Sequence, residues 1–463
     1  MAASRIVLFT GRPTALRRGA ASLAVVMILF FVITLVAAYT SRNLLFEQRT
    51  SANIYRATLA QEAAEAGVEW AIARLNEGRM NDDCTVATTI TSPPQPTFRE
   101  RYLDINATTG TITALPIGGE KLAGCVFNGT TWACHCPDTG NPAPSTTFTG
   151  NGPFPAFWVK FRNNQLGTPQ RQGVVRIQVN GCTRADLSCL SFDVAGGTHE
   201  ARSGDGLATV WSILALRSAM PTAPAAALTV RGTFSTTANP RVSNTDTISG
   251  GFTIQGSETT GAISTAGITL ETIPGTPTSA SVIQNDSALT LANLTLSPAT
   301  PANTGENRMF NSVFGTWPTT YFAQPALGTV NCASDCTAAD VNAVVQRRPG
   351  HPIRVTGGGR LRIDAAIGSA AAPVLIITDG TVEFDSGAAT LYGVVYSSAA
   401  SWDLRGGDGF IRGAAIAARN FRFNGDNPSI IYDRDVILQV QRKTGSFSKV
   451  PGSWRDYQWG INP

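Results

Sequence analysis

The sequence predicts an α+β chain: a long N-terminal helix with an antiparallel β head, followed by a β-solenoid (β-helix) C-terminal domain. Three observations carry this prediction. An apolar run, Ala20 to Ala38, passes without a break into an amphipathic helical pattern that ends before Met80. Alternating strand patterns follow between Phe157 and Leu216. In the last quarter, short strand patterns recur about every 20 residues.

The helix comes first. No charge falls between Arg18 and Arg42. The run from Ala20 to Ala38 would span roughly 28 Å as a helix, against about 30 Å of bilayer hydrocarbon. No small-x-small cleavage site follows it, as a removed secretory signal would require. Instead Ala57, Ala60, Ala64, Val68, Ala71 and Leu75 recur at spacings of three and four, which places them on one face. Glu62, Glu65, Glu69 and Arg74 occupy the remainder. The pattern predicts one retained helix, half in lipid and half docked on a soluble domain. Arg5, Arg12, Arg17 and Arg18 precede it with no acid among them, so that end stays cytoplasmic and everything after Arg42 lies outside.

The 463 residues allow two or three domains. The net charge of +4 resides in the four arginines before the helix, so the remainder is neutral and nothing steers it toward nucleic acid. All eight cysteines follow the helix, on the oxidising side, where an even set reads as disulfides. Cys182 with Cys189 and Cys332 with Cys336 are the local candidates. Cys84, Cys125, Cys134 and Cys136 leave their pairing open. Cys134-His135-Cys136 matches no common zinc spacing.

Residues 81–155 read as a connecting region with short strands. Phe157–Phe161, Val175–Val179, Leu190–Val194 and Thr209–Leu216 read as strands of a head packed on the helix. From Ala225 the pattern changes. Leu391, Ile411 and Ile431 recur, as do Val382, Trp402 and Phe421, and Val374, Gly393 and Gly413. Three short strands per repeat describe one coil of a solenoid, which is stable only when stacked on others. Ile353 and Leu361 fit one coil earlier; Leu228–Val230, Phe252–Ile254 and Ile268–Leu270 read as less regular early coils. Helical patterns at 307–315 and 338–345 mark an insertion at about 303–349. Phe447, Trp454, Tyr457 and Trp459 are expected to fold over the last coil, whose open edge would otherwise pair with another chain. The predicted layout is a leader at 1–19, the helix at 20–80 with its membrane span at 20–40, the head at 81–220, the solenoid at 221–446 and a cap at 447–463.

No catalytic, cofactor or metal constellation is predicted. His135, His199 and His351 belong to no motif and read as surface or turn residues. Gly357–Gly359 and Gly406–Gly409 lack the lysine and helix of a phosphate loop. Asp403, Asp408 and Asp426 complete no calcium loop. Asp364, Glu383, Asp385 and Asp403 form no recognisable acid pair.

Arg18-Gly19-Ala20-Ala21 at the start of the span and Gln61-Glu62-Ala63-Ala64-Glu65-Ala66 late in the helix resemble the PilX family of type IV pilus minor pilins. The phenylalanine-rich insertion, Ile431-Tyr432-Asp433 and the ending Pro451-Gly452-Ser453-Trp454-Arg455-Asp456 resemble long PilX-like proteins more loosely; 81–155 carries no resemblance. The resemblance implies a prepilin cut between Gly19 and Ala20 by the prepilin peptidase and N-methylated at Ala20. It would wait in the inner membrane with periplasmic domains and then enter the pilus. Major pilins carry Glu at the fifth mature position; this chain has Ala24 there, and the absence of Glu is shared by PilX-like proteins and GspK tip pseudopilins. That implies a subunit that primes assembly or sits at the tip, aiding adhesion. Its implied partners are other minor pilins and the major pilin through the helix, and a PilY-type tip adhesin. The alternatives are a GspK-like pseudopilin of type II secretion and a membrane-anchored solenoid that binds or cleaves carbohydrate.

Overall fold

The computed structural model describes residues 18–456 apart from 116–120, 151, 164–170, 193–204, 258–262, 291–303, 386, 388 and 426. Helix α1 (Arg18–Leu75) is unbroken. The residues before Arg18, Val194, His199, Asp426, Tyr457 and Trp459 lie outside the described residues.

The segment after α1 is more ordered than its sequence suggests. A capping box of Thr97 and Glu100 starts a short helix, α2 (Phe98–Tyr102). It runs into a hairpin, β1 (Leu103–Ile105) and β2 (Ile112–Ala114). Strands β3 (Ala123–Phe127) and β4 (Trp132–His135) then join the head sheet. The rest of that sheet is β5 (Ala156–Arg162), β6 (Val174–Cys182), β7 (Leu207–Ser218) and, from the far end of the chain, β25 (Gly445–Lys449). The order is β25-β7-β6-β5-β3-β4, antiparallel throughout. One face packs Phe157, Val159, Phe161, Val175, Ile177 and Val179 against Ala64, Val68, Ala71 and Leu75 of α1. The expected strand at 190–194 is corrected: Leu187–Leu190 is a helical turn, α3, set by Asp186 accepting from the Ser188 amide and hydroxyl. Leu190 and Phe192 cover the opposite face of the sheet.

Beyond the head, short strands stack in parallel, in-register ladders. The first wall contains β14 (Gly328–Asn331), β16 (Ile353–Thr356), β18 (Val374–Thr378) and the second halves of β20 (Thr390–Ser397) and β22 (Phe410–Ala417). A second wall holds β15 (Cys336–Thr337), β17 (Leu361–Ile363) and β19 (Val382–Phe384), then β21 (Ser401–Leu404) and β23 (Asn420–Phe423). The first halves of β20 and β22, with β24 (Ser429–Tyr432), make a third. At the corner, Gly393 pairs with Gly413 at φ of 149° and 136°. A Cβ on Gly393 would lie 1.8 Å from the Val374 carbonyl oxygen, so only glycine turns there. Inward residues such as Leu391, Ile411, Trp402 and Phe421 form one continuous core.

Three expectations are corrected here. Ile411 pairs with Ile430, not Ile431, because the preceding turn, Ala418–Arg419, is one residue shorter than Ser398–Ala400. The insertion supplies its own rungs, since Gly328 pairs with Ile353 and Cys336 with Leu361. The early strands do not precede these rungs in space. β8 (Leu228–Val230), β9 (Phe234–Thr236) and β10 (Arg241–Ser243) stack on β22, β23 and β24, and β11 (Ile254–Gly256), β12 (Thr269–Glu271) and β13 (Val282–Ile283) continue outward. The first rungs therefore cover the edge of the last, which is the edge that needed covering.

That placement frees the chain terminus. Phe447 does not fold over the stack; it lies on β25, pairs with Leu216 of β7 and buries itself in the head. Helices α4 (Ser287–Thr290), α5 (Gly305–Phe314), α6 (Pro318–Tyr321) and α8 (Arg434–Lys443) cover the outer side of the first wall, where Leu375, Ile377, Val394, Tyr396 and Ile416 face away from the ladder core. α7 (Ala338–Arg347) packs Val341 against the β14 and β15 end.

Candidate assembly helix and its anchorage

Helix α1 is two helices in its chemistry. Its first half holds only uncharged residues between Arg18 and Arg42, and its apolar side chains stand in the open: Phe30 is 70% exposed and Phe46 71%. Thr34 and Thr40 return their hydroxyls to the helix carbonyls of Phe30 and Val36, so the half presents few polar groups. The helix is long and apolar enough to cross a membrane. Its second half is docked. Ala60, Ala64, Val68, Ala71 and Leu75 are buried. Small residues set the approach. A Cβ on Gly181 of β6 would sit 2.3 Å from the Ala60 carbonyl oxygen and 2.4 Å from the Ala64 nitrogen; one on Gly206 would sit 2.3 Å from the Arg56 carbonyl oxygen. The sheet thus touches helix backbone directly.

The end of α1 is fixed by a buried polar node that the sequence did not reveal. The Asn76 side chain accepts from the Phe447 amide (2.7 Å) and donates to the Phe447 carbonyl (2.8 Å), as a neighbouring strand would. Arg99, fully buried, donates to the carbonyls of Leu75, Gly445 and Gly350 and to Asn76 Oδ1, and stacks on the Phe447 ring. Carbonyls left over at a helix C-terminus carry partial negative charge, which suits a guanidinium. Burial still lowers Arg99 to about 9. His351, expected at the surface or in a turn, lies in a bend and is buried, with Nε2 3.1 Å from the Asn76 carbonyl oxygen. Burial first, then Arg99, lowers its pKa to about 3, so the ring is neutral. The Arg79 amide donates to the Arg347 carbonyl at 2.8 Å, so head, helix and ladder stack meet within a few residues. The only sequence signal was negative, a histidine and an arginine in no motif and more than 250 residues apart.

The cysteines form four disulfides: Cys84–Cys136, Cys125–Cys134, Cys182–Cys189 and Cys332–Cys336. Cys134-His135-Cys136 is split between two of them, and His135 Nδ1 accepts from the Ala143 amide. The carboxylates on the second wall do not converge. Asp364 accepts from the Ala338 amide, while Glu383, Asp385 and Asp403 pair with Arg360, Arg362 and Arg405. No group of three or more His, Cys, Asp or Glu able to hold a metal occurs among the described residues.

The exposed apolar half of α1 is continuous with a docked half, and the comparison with known families falls on this same helix. Residues 18–69 match the PilX N-terminal family model. The match covers the apolar half and most of the docked half of α1 and stops at Glu69, before the node. No curated protein and no solved structure matches the chain. PilX proteins are structural pilins of the type IV pilus, and similarity to them over an exposed apolar helix points to membrane anchoring and association with other pilus components.

Proposed function

We propose that this protein is a PilX-like minor pilin that primes type IV pilus assembly or sits at the pilus tip and aids adhesion. The observation that carries the reading is the unbroken α1, whose exposed half lacks charge between Arg18 and Arg42 while the other half is docked on the head. Lipid covers the apolar half before assembly, and neighbouring helices cover it afterwards. The leader, residues 1–19, is cut between Gly19 and Ala20, and Ala20 is N-methylated. The basic leader favours a cytoplasmic N-terminus and periplasmic domains. Ala24 in place of the fifth-position Glu favours the tip or the priming complex over the shaft. Other minor pilins, the major pilin and a PilY-type adhesin are the expected partners.

In this reading the ladders form a β-solenoid presented outward. Parallel, in-register pairing on three walls and a rung spacing of 20 residues from Leu391 to Ile411 support it. The head then spans 81–220 together with 445–456, and the solenoid spans 221–443. The arginine-paired carboxylates favour a structural solenoid over one that cleaves carbohydrate.

The test is the intact mass and N-terminal sequence of membrane-extracted protein, with and without the prepilin peptidase. A methylated Ala20 terminus that depends on the peptidase is the expected result. A start at Met1, or a cut beyond Ala38, overturns the pilin reading.

A further inference from the structure

A cleft of about 360 Å³ lies where the head meets the ladder stack. That is the size of a site for a small ligand. Leu103, Ile105 and Leu115 of the head line one side, and Val345, Pro373 and Val374 of the stack line the other. Its walls are thus mostly apolar and belong to two different parts of the fold. Its acids are accounted for. Glu100 turns to Arg79 at 3.2 Å, and Asp104 is exposed to solvent. Arg348 is also engaged, with the Leu327 carbonyl at 3.1 Å and Glu77 at 3.5 Å.

Two cations at the cleft are left without an acid. An arginine carries five N–H groups. Arg99 spends four of them, on the carbonyls of Leu75, Gly350 and Gly445 and on Asn76 Oδ1. The fifth is on Nη1, whose bond to Gly350 is long at 3.3 Å. Carbonyls solvate a buried charge without neutralising it. Lys443, the last residue of α8, makes no side-chain hydrogen bond or ion pair among the described residues. Neither cation has an Asp or Glu within ion-pair distance among those residues. Both come close to Gly350. A Cβ there would lie 3.7 Å from Arg99 Nη1 and 3.2 Å from the Lys443 carbonyl oxygen, and all three residues line the cleft.

We propose that this cleft binds a small amphipathic carboxylate, its charged end held by Arg99 Nη1 and Lys443 and its apolar body laid between Leu103, Ile105 and Val374. Charge decides the class. A neutral apolar molecule leaves the fifth Arg99 donor and the Lys443 ammonium unpaired, and an apolar cation adds a third positive charge. A carboxylate takes charge-assisted hydrogen bonds from both. The bound molecule touches head and stack at once, so it ties them together. It has no such site on the unfolded chain, so binding raises stability by mass action. The site lies away from the apolar half of α1, and the proposal does not depend on the pilin reading.

The probe is 4-phenylbutyrate, titrated by calorimetry into detergent-extracted full-length protein, with the detergent alone as the blank. The comparison is 4-phenylbutylamine, which has the same apolar body and the opposite charge. The expected result is saturable binding of the acid with a Kd of about 2 mM, and an amine weaker by about tenfold or more. Lys443→Glu weakens the acid about tenfold, and Lys443→Arg retains it. Ala372 lies at the cleft on an exposed turn closed by Ser369, so Ala372→Trp fills the space without touching the core and abolishes binding. The melting temperature of each variant without probe is expected to match the wild type, which separates a lost site from a lost fold. No saturable binding of the acid up to about 20 mM, ten times the expected Kd, overturns the proposal. So does equal binding of acid and amine, or binding untouched by both Lys443→Glu and Ala372→Trp. None of these outcomes bears on where the N-terminus is cut.

Discussion

Gly181→Ala is the sharpest test of how α1 is held. The glycine sits in β6, opposite Phe157 of β5, under the helix backbone. The added methyl would lie 2.3 Å from the Ala60 oxygen and 2.4 Å from the Ala64 nitrogen. Ordinary contact begins near 3.4 Å, so helix or strand must move about 1 Å. Neither neighbour is a side chain that can rotate away. A gap of 0.5–1 Å already forfeits roughly a quarter to a half of each dispersion contact along the row from Ala60 to Leu75. Overpacking of this kind costs about 3 kcal/mol. For a head of this size that lowers the melting temperature by roughly 6–12 °C. The assay is thermal unfolding of detergent-extracted full-length protein by circular dichroism. Gly152→Ala, where a Cβ meets nothing within 4 Å, is the control and is expected to melt like the wild type. A Gly181→Ala protein that also melts like the wild type would refute backbone-to-backbone docking and place the helix farther from the sheet.

Three further outcomes are expected. Arg99→Met strips the carbonyls of Leu75 and Gly445 of a buried donor, costs about 3 kcal/mol, and opens the segment around Gly350 to protease, measured by limited proteolysis. His351 is held neutral in the fold, with its pKa lowered from 6.5 to about 3, so the unfolded chain binds the extra proton between those values. Its contribution is whole above pH 6.5 and is lost as pH falls toward 3; in His351→Gln, the slope of stability against pH in that window falls by about one proton, measured by denaturant titration. Removing Cys84–Cys136, which closes 52 residues, costs about 4 kcal/mol, against about 2 kcal/mol for Cys332–Cys336, which closes 4, as read from paired Cys→Ser variants in urea.

Two kinds of information separate in this chain. Periodicity is local, so α1, β5, β6, β7 and the strands from Ile353 to Phe423 could be read directly. A helix or strand needs only its neighbours in sequence to declare which side is apolar. The turn glycines were legible for the same reason. Long-range choices were not. Leu190 alternates with Phe192 as a strand would, yet Asp186 bends that stretch into a helical turn. His351 sits among Arg, Pro and Gly, a turn-like context, and its burial depends on Asn76 arriving from 275 residues away.

By itself the sequence determined an apolar helix long enough for a membrane, its charge-free span, the side it buries, and a repeat of about 20 residues. Tertiary structure decided what covers each edge. β8, β9 and β10 close the end left by β22, β23 and β24, and that lets β25 return to the head and meet Asn76. The physical reason is that an unpaired strand edge is satisfied by any backbone of suitable length. Which backbone arrives depends on where the rest of the chain has already packed, and no local pattern records that.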